Sequence, residues 1–108
     1  MRVTNKTTAK EFINRYYSLD ISLKDIKYFN SFSANLNKHF TVVVLKNDIE
    51  YSFRLVQEHN GRLWSCLDRY VYDEEEFAYK CKSGVMDFNA NGKLVYDSYH
   101  YPNNPQIK

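Results

Sequence analysis

The chain has 108 residues, 44% hydrophobic, 26% charged and 17% aromatic, with a formal net charge of +2 at pH 7. That length supports one hydrophobic core without help from metals or disulfides, and so high an aromatic share, ten tyrosines included, excludes a disordered chain. The charge is too small for bulk attraction to nucleic acid, so any phosphate-binding surface must be a local basic patch.

The N-terminal stretch MRVTNKTTAKEF has no apolar core of the secretory kind. The longest apolar run, FTVVVL, is strand-sized and far short of the ~20 residues that span a bilayer. The expected location is therefore cytoplasmic, with no membrane partner and with Cys66 and Cys81 as reduced thiols. Asn, Lys, Tyr, Phe and Ile are frequent while Gly, Pro and Ala are scarce. That is the bias of an AT-rich genome, and small single-domain proteins of this sort are common in the phages and mobile elements of such hosts.

In chain order, Thr8 followed by Glu11 has capping-box spacing. Ala9, Phe12, Ile13 and Tyr16 then recur at helical spacing, predicting a helix from about Thr8 to Leu19. In DISLKDIKYFNSF two readings stay open: Ser22 and Asp25 cap a short turn, or Ile26, Tyr28 and Phe32 lie on an edge strand. HFTVVVLK is apolar on both faces, as in a central strand. After the turn at Asn47–Asp48, Ile49, Tyr51, Phe53 and Leu55 alternate with Glu50, Ser52 and Arg54, which predicts a strand with one buried and one wet face. Asn60–Gly61 signals a hairpin, and RLWSCLDRYVY returns.

DEEEFAYKCKSG then reads as a second, short helix over about residues 74–82. Asp73 and Glu76 have capping-box spacing, and three glutamates occupy the first turn, where the helix dipole favours negative charge. Lys80 and Lys82 fall in the last turn, Phe77 and Cys81 share a face, and Gly84 follows as a C-cap. Asn91–Gly92 marks a closing hairpin, and PNNPQIK reads as a loose tail.

The predicted fold is therefore α+β. An N-terminal helix packs on a curved antiparallel sheet of five to six strands, with a second short helix before a C-terminal hairpin. Residues 1–101 form a single domain and 102–108 a tail. The order of elements resembles the cystatin-like and NTF2-like folds in outline, without a family motif.

Chemistry is sparsely signalled. His39, His59, His100, Cys66 and Cys81 lack the close pair spacings of a zinc site, nothing marks either thiol as activated, and there is no Gly-rich phosphate loop. No metal or cofactor is expected. One carboxylate stands out: a two-residue Asn60–Gly61 loop would pair Phe53 with Asp68, Tyr51 with Tyr70 and Leu55 with Cys66. That register sets Asp68 on the apolar face, where desolvation raises a carboxyl toward general-base range. A one-residue slip turns it to solvent. Arg54, Arg62, Arg69 and Lys93 together with tyrosines offer phosphate contacts and stacking surfaces for a single strand of nucleic acid. Tyr96, Tyr99 and Tyr101 fall on both faces of the last strand beside the tail, as interface tyrosines do.

The leading expectation is a small non-enzymatic binding protein acting through protein–protein contacts, with Tyr96, Tyr99, Tyr101, Arg54 and Arg69 as binding residues. Its partner would be a host or self protein, and its role that of a phage or mobile-element accessory that inhibits or modulates a host protein. The alternatives are a pocketed domain that binds or turns over a small molecule with Asp68, and a single-stranded nucleic-acid binder.

Overall fold

The computed structural model describes residues 2–107, including all side chains except those of residues 72–73 and 78–81. One helix, α1 (Lys6–Tyr16), precedes six strands: β1 (Ile26–Ala34), β2 (Asn37–Lys46), β3 (Ile49–Gln57), β4 (Leu63–Asp73), β5 (Ala78–Phe88) and β6 (Leu94–Asp97). The strands form a single open antiparallel sheet in chain order.

The helix starts at Lys6, two residues earlier than Thr8. Asn5 is the N-cap: its Oδ1 accepts from the Thr8 amide at 2.9 Å, and Thr8 Oγ1 accepts from the Asn5 amide at 3.0 Å. Asn caps as well as any residue, and a threonine three positions on completes the reciprocal box. The helix stops at Tyr16 because Ser18 turns left-handed (φ +54°). Asn14 then holds the departing chain from both sides, donating to the Ile21 carbonyl at 3.0 Å and accepting from the Ile21 amide at 2.9 Å. Ser22 and Asp25 do cap a short 3₁₀ turn (Leu23–Asp25), and β1 follows directly, so both open readings of that stretch are realised in succession. The Ser22 amide, bonded to Asp25 Oδ2 at 2.9 Å, holds that carboxyl below its ordinary range.

Two turn chemistries set the strand register. Asn35–Leu36 and Asn47–Asp48 are two-residue loops with both residues at positive φ (53° and 66°; 53° and 64°), the pair of conformations whose twist matches paired strands. The two Asn-Gly hairpins are one residue longer. In Glu58–Arg62 the closing bond runs from the Glu58 amide to the Arg62 carbonyl at 2.8 Å, and in Asn89–Lys93 the equivalent bond is also 2.8 Å. Gly61 (φ +103°) and Gly92 (φ +82°) take the left-handed position that makes a bulge of the third loop residue.

The second helix predicted over 74–82 is not formed. Residues 78–88 are β5, paired with β4 over eleven positions from Leu63↔Phe88 to Asp73↔Ala78. Glu74, Glu75 and Glu76 lie exposed in the connecting turn, closed by Phe77 at φ +52°. Capping and dipole effects stabilise a helix end by ~0.3–1 kcal/mol each, and a nine-residue helix needs a buried face to persist. Pairing along the whole of β4 outweighs them. The side chains of Lys80 and Cys81, read from sequence as that helix's end, lie outside the described set.

The core lies between α1 and one face of the sheet. Ala9, Phe12 and Ile13 of the helix, with Tyr17 after it, bury against Val42, Val44, Phe53, Leu55, Leu67 and Met86. The Tyr17 hydroxyl meets Ser65 Oγ at 2.8 Å, and Ser65 in turn reaches the Met86 carbonyl at 3.3 Å. Burial pushes this hydroxyl well above a phenol's ordinary pKa of 10.0. A raised folded pKa means that the stabilisation is complete below pH ~10 and is lost as pH rises toward the folded value. Urea melts should therefore show wild-type stability falling above pH 10 with a component of about 1.4 kcal/mol per pH unit. Tyr17→Phe should cost about 1 kcal/mol at neutral pH and lack that component; an unchanged alkaline slope in the variant would refute the assignment.

Past Tyr101 the chain returns to the sheet. The Asp97 amide donates to the Pro105 carbonyl at 2.8 Å, the Ile107 amide donates to the Val95 carbonyl at 3.1 Å, and Gln106 bridges Tyr96. The stretch read as a loose tail thus runs along the outer edge of β6.

Candidate functional site: the helix-free sheet face

Because α1 covers one face of the sheet, alternate residues of every strand point to the other. The observed pairing arranges these in rows. One crosses the sheet from edge to edge: Phe32, His39, Val56, Trp64, Asp87 and Tyr96. The next holds Asn30, Thr41, Arg54, Cys66 and Val85, and a third Tyr28, Val43, Ser52, Asp68 and Ser83. Leu45, Glu50 and Tyr70 begin a fourth.

The first row is mostly rings. Phe32 and His39 stack with centroids 4.7 Å apart and planes 2° from parallel. Phe32, His39, Thr41, Arg54, Val56 and Trp64 line most of a shallow groove of about 200 Å3. His39, Val56 and Trp64 are half-buried, while Phe32 remains 53% exposed. Asp87 does not interrupt the row with a bare charge, because Arg62 grips it through two contacts, Nε at 3.1 Å and Nη2 at 2.6 Å. The third guanidinium nitrogen binds Glu58 at 2.6 Å. This clamp ties the 58–62 hairpin to β5, and Asp87 raises the guanidinium's already high pKa further.

The residues singled out from sequence are dispersed by this geometry. Arg54 and Tyr96 lie on the open face. Tyr99 lies on the helix side instead: its ring meets Tyr17 edge-on at 5.1 Å, and its backbone covers Gly84. Tyr101 is exposed in the turn after β6, 56% accessible. Arg69 is opposite Tyr51 on the helix-side face, with its Nε buried and unbonded. Of the basic residues read as phosphate contacts, Arg54 alone sits among the rings; Arg62 is held by two carboxylates and Lys93 is at a hairpin tip.

The register behind the Asp68 reading is corrected. Phe53 pairs with Leu67, Leu55 with Ser65 and Tyr51 with Arg69, while Asp68 faces Ser52 and Ser83. The extra loop residue at Gly61 shifts the ladder by one and turns Asp68 from the core to the open face. Near Phe12, Tyr16, Leu63 and Phe88, the gap between helix and sheet is about 10 Å3, at the limit of what admits one water.

One further polar cluster closes the C-terminal turn. Asp97, 1% exposed, accepts from the His100 amide at 2.9 Å and meets His100 Nδ1 at 2.8 Å. These bonds, with the Tyr101 amide on the Asp97 carbonyl at 3.2 Å, account for the turn's shape.

The sequence reading missed Phe32, His39 and Trp64 as a group. Each sits at a wet-face position of its strand, but only the three-residue loop at Asn60 brings Trp64 level with Val56 and His39. Among the described residues, no three His, Cys, Asp or Glu side chains cluster as metal ligands, and no helix is long and apolar enough to cross a membrane. Compared with protein-family models, curated proteins and solved structures, the chain matches none of them.

Proposed function

We propose that the chain is a non-enzymatic binding protein that holds a protein partner against the helix-free face of its sheet and acts by occupying that partner's surface. The observation that carries this reading is the edge-to-edge row Phe32–His39–Val56–Trp64, with Tyr96 at its far end. Strands ~4.8 Å apart and ~9 residues long give this face roughly 700 Å2, close to the ~800 Å2 that each partner contributes to a stable protein complex. Its charges support a protein over a polyanion. Arg54 is balanced by Glu50 and Asp68, and Arg62 is already paired, so among the described residues the face lacks the basic stripe that a phosphate backbone requires.

Trp64 is the only tryptophan in the chain, so its fluorescence reports directly on contact at the row. A partner captured from lysate after nuclease treatment should shift that emission on titration. Trp64→Ser, in the interior of the row, should weaken binding roughly 30-fold, as central aromatic anchors do, and Phe32→Ser, at its β1 end, should weaken it by a smaller factor of roughly 5. Binding that ignores both substitutions would sink the assignment, and capture abolished by nuclease would favour the nucleic-acid reading.

A further inference from the structure

The two edges of the sheet are treated differently. β6 is short and its outer side is taken by residues 105–107. β1 spans nine residues, and among the described residues no backbone hydrogen bond outside the sheet ladder reaches positions 27–34. Proteins usually protect such an edge with a charge, a proline or a bulge. Here residues 28–37, YFNSFSANLN, contain no charge and no proline, and the single bulge lies before Tyr28.

The direction of the free groups follows from the turn. A two-residue loop makes Ala34 and Asn37 a hydrogen-bonded pair, and bonded and non-bonded pairs alternate along an antiparallel ladder. Ala34, Phe32, Asn30 and Tyr28 therefore bond inward to β2, leaving Phe29, Ser31 and Ser33 with amide and carbonyl directed outward. A strand running antiparallel to β1 and centred on Asn30 satisfies those groups, and β1 of a second copy fits that description. About a two-fold axis at Asn30, Phe29 of one copy bonds to Ser31 of the other. Tyr28 faces Phe32 across the junction on the open side, covering rings that are 52% and 53% exposed in the single chain. Lys27 meets Ser33, so no like charges oppose each other.

We propose that the protein is a two-fold dimer in which the β1 edges of two copies pair antiparallel about Asn30, joining two six-stranded sheets into one of twelve. The open face would then be continuous, with the ring row of one copy running into Tyr28 and Val43 of the other. This inference is independent of what that face binds.

Sedimentation equilibrium of the full chain should give twice the 12.9 kDa chain mass at micromolar concentration. Ser31→Pro removes an outward amide without touching the β1–β2 ladder, a position where an edge strand tolerates proline. It should yield a single-chain species with unchanged Trp64 emission and far-ultraviolet circular dichroism. Asn30→Cys should form a disulfide-linked dimer on mild oxidation, since facing non-bonded residues lie ~4.5 Å apart at Cα. Ser33→Cys, whose mate would lie ~20 Å away along the strands, should not exceed the wild-type cross-linking background. Should Ser31→Pro fail to fold, the cysteine pair decides. A wild-type chain that stays single at all concentrations would overturn the proposal and leave the edge to a foreign strand. A dimer that survives Ser31→Pro, or an Asn30→Cys chain that does not cross-link, would overturn it equally.

Discussion

Replacing Phe12 with alanine is expected to lower the unfolding free energy by about 4 kcal/mol. The ring is fully buried, and three other rings pack on it: Tyr16 at 5.0 Å, Phe88 at 5.6 Å edge-on and Tyr17 at 6.2 Å edge-on. No single neighbour can move in to fill the space, because Tyr17 is anchored at Ser65 and Phe88 belongs to β5. The cost should therefore fall in the upper part of the range for an aromatic truncated to alanine. Domains of this size have total stabilities of ~5–15 kcal/mol, so the variant should melt about 15–30 °C lower. The helix has eleven residues, too few to persist without its contact with the sheet. Helical signal and sheet signal should thus be lost in one transition. Urea melts followed by circular dichroism and by Trp64 emission test this. A loss below about 1 kcal/mol, or a helix that melts before the sheet, would show that Phe12 is not what holds the two layers together.

What the sequence made legible follows the range of the forces involved. The helix was readable because Ala9, Phe12 and Ile13 repeat every three to four residues and all three reach the core. Its start was missed by two residues because Asn5–Thr8 and Thr8–Glu11 both have reciprocal-box spacing in sequence, and local spacing does not rank them. The hairpins at Asn60 and Asn91 were readable as turns, since Asn-Gly tolerates positive φ. Their length was not, because the choice between two and three loop residues depends on the closing pair and on neighbouring strands. At Gly61 the Ala90 carbonyl of the adjacent hairpin would lie 2.8 Å from any Cβ, a tertiary contact that no local pattern announces. That one residue of loop length decides the candidate site: it moves Asp68 off the core side and sets Trp64 in line with Val56, His39 and Phe32. The acidic stretch after Asp73 failed for a related reason. Its capping signals are genuine, but each is small and local, whereas β5 gains its pairing from β4 residues up to twenty-five positions away in sequence.

Gly84 separates these two accounts experimentally. As a helix C-cap, the role predicted from sequence, its replacement by alanine would cost ~1 kcal/mol through a left-handed backbone. In the strand it occupies, Gly84 sits between Leu67 and the C-terminal turn, and a Cβ there would lie 2.5 Å from Tyr99 Cα, 2.5 Å from Tyr99 Cβ and 2.9 Å from the Tyr99 amide. Two of those atoms are backbone, and the turn that carries them is fixed on both sides. Ser98 Oγ accepts from the Val85 amide at 2.9 Å, and Asp97 is buried with its carboxylate engaged by His100. Tyr99 cannot back away without lifting its ring from Tyr17 and breaking these bonds. Gly84→Ala is therefore expected to cost about 3 kcal/mol, the upper end for overpacking a well-filled site, and to lower the melting temperature by about 10–20 °C. A second substitution tests the cause. Tyr99→Gly keeps the turn but makes its backbone more adaptable and removes the ring it supports, so the Gly84→Ala penalty should shrink by at least 1 kcal/mol in that background. Full additivity of the two changes would mean that Tyr99 is not the obstacle. A Gly84→Ala loss near 1 kcal/mol with no coupling would return the segment to the helical reading, and with it the placement of the open face.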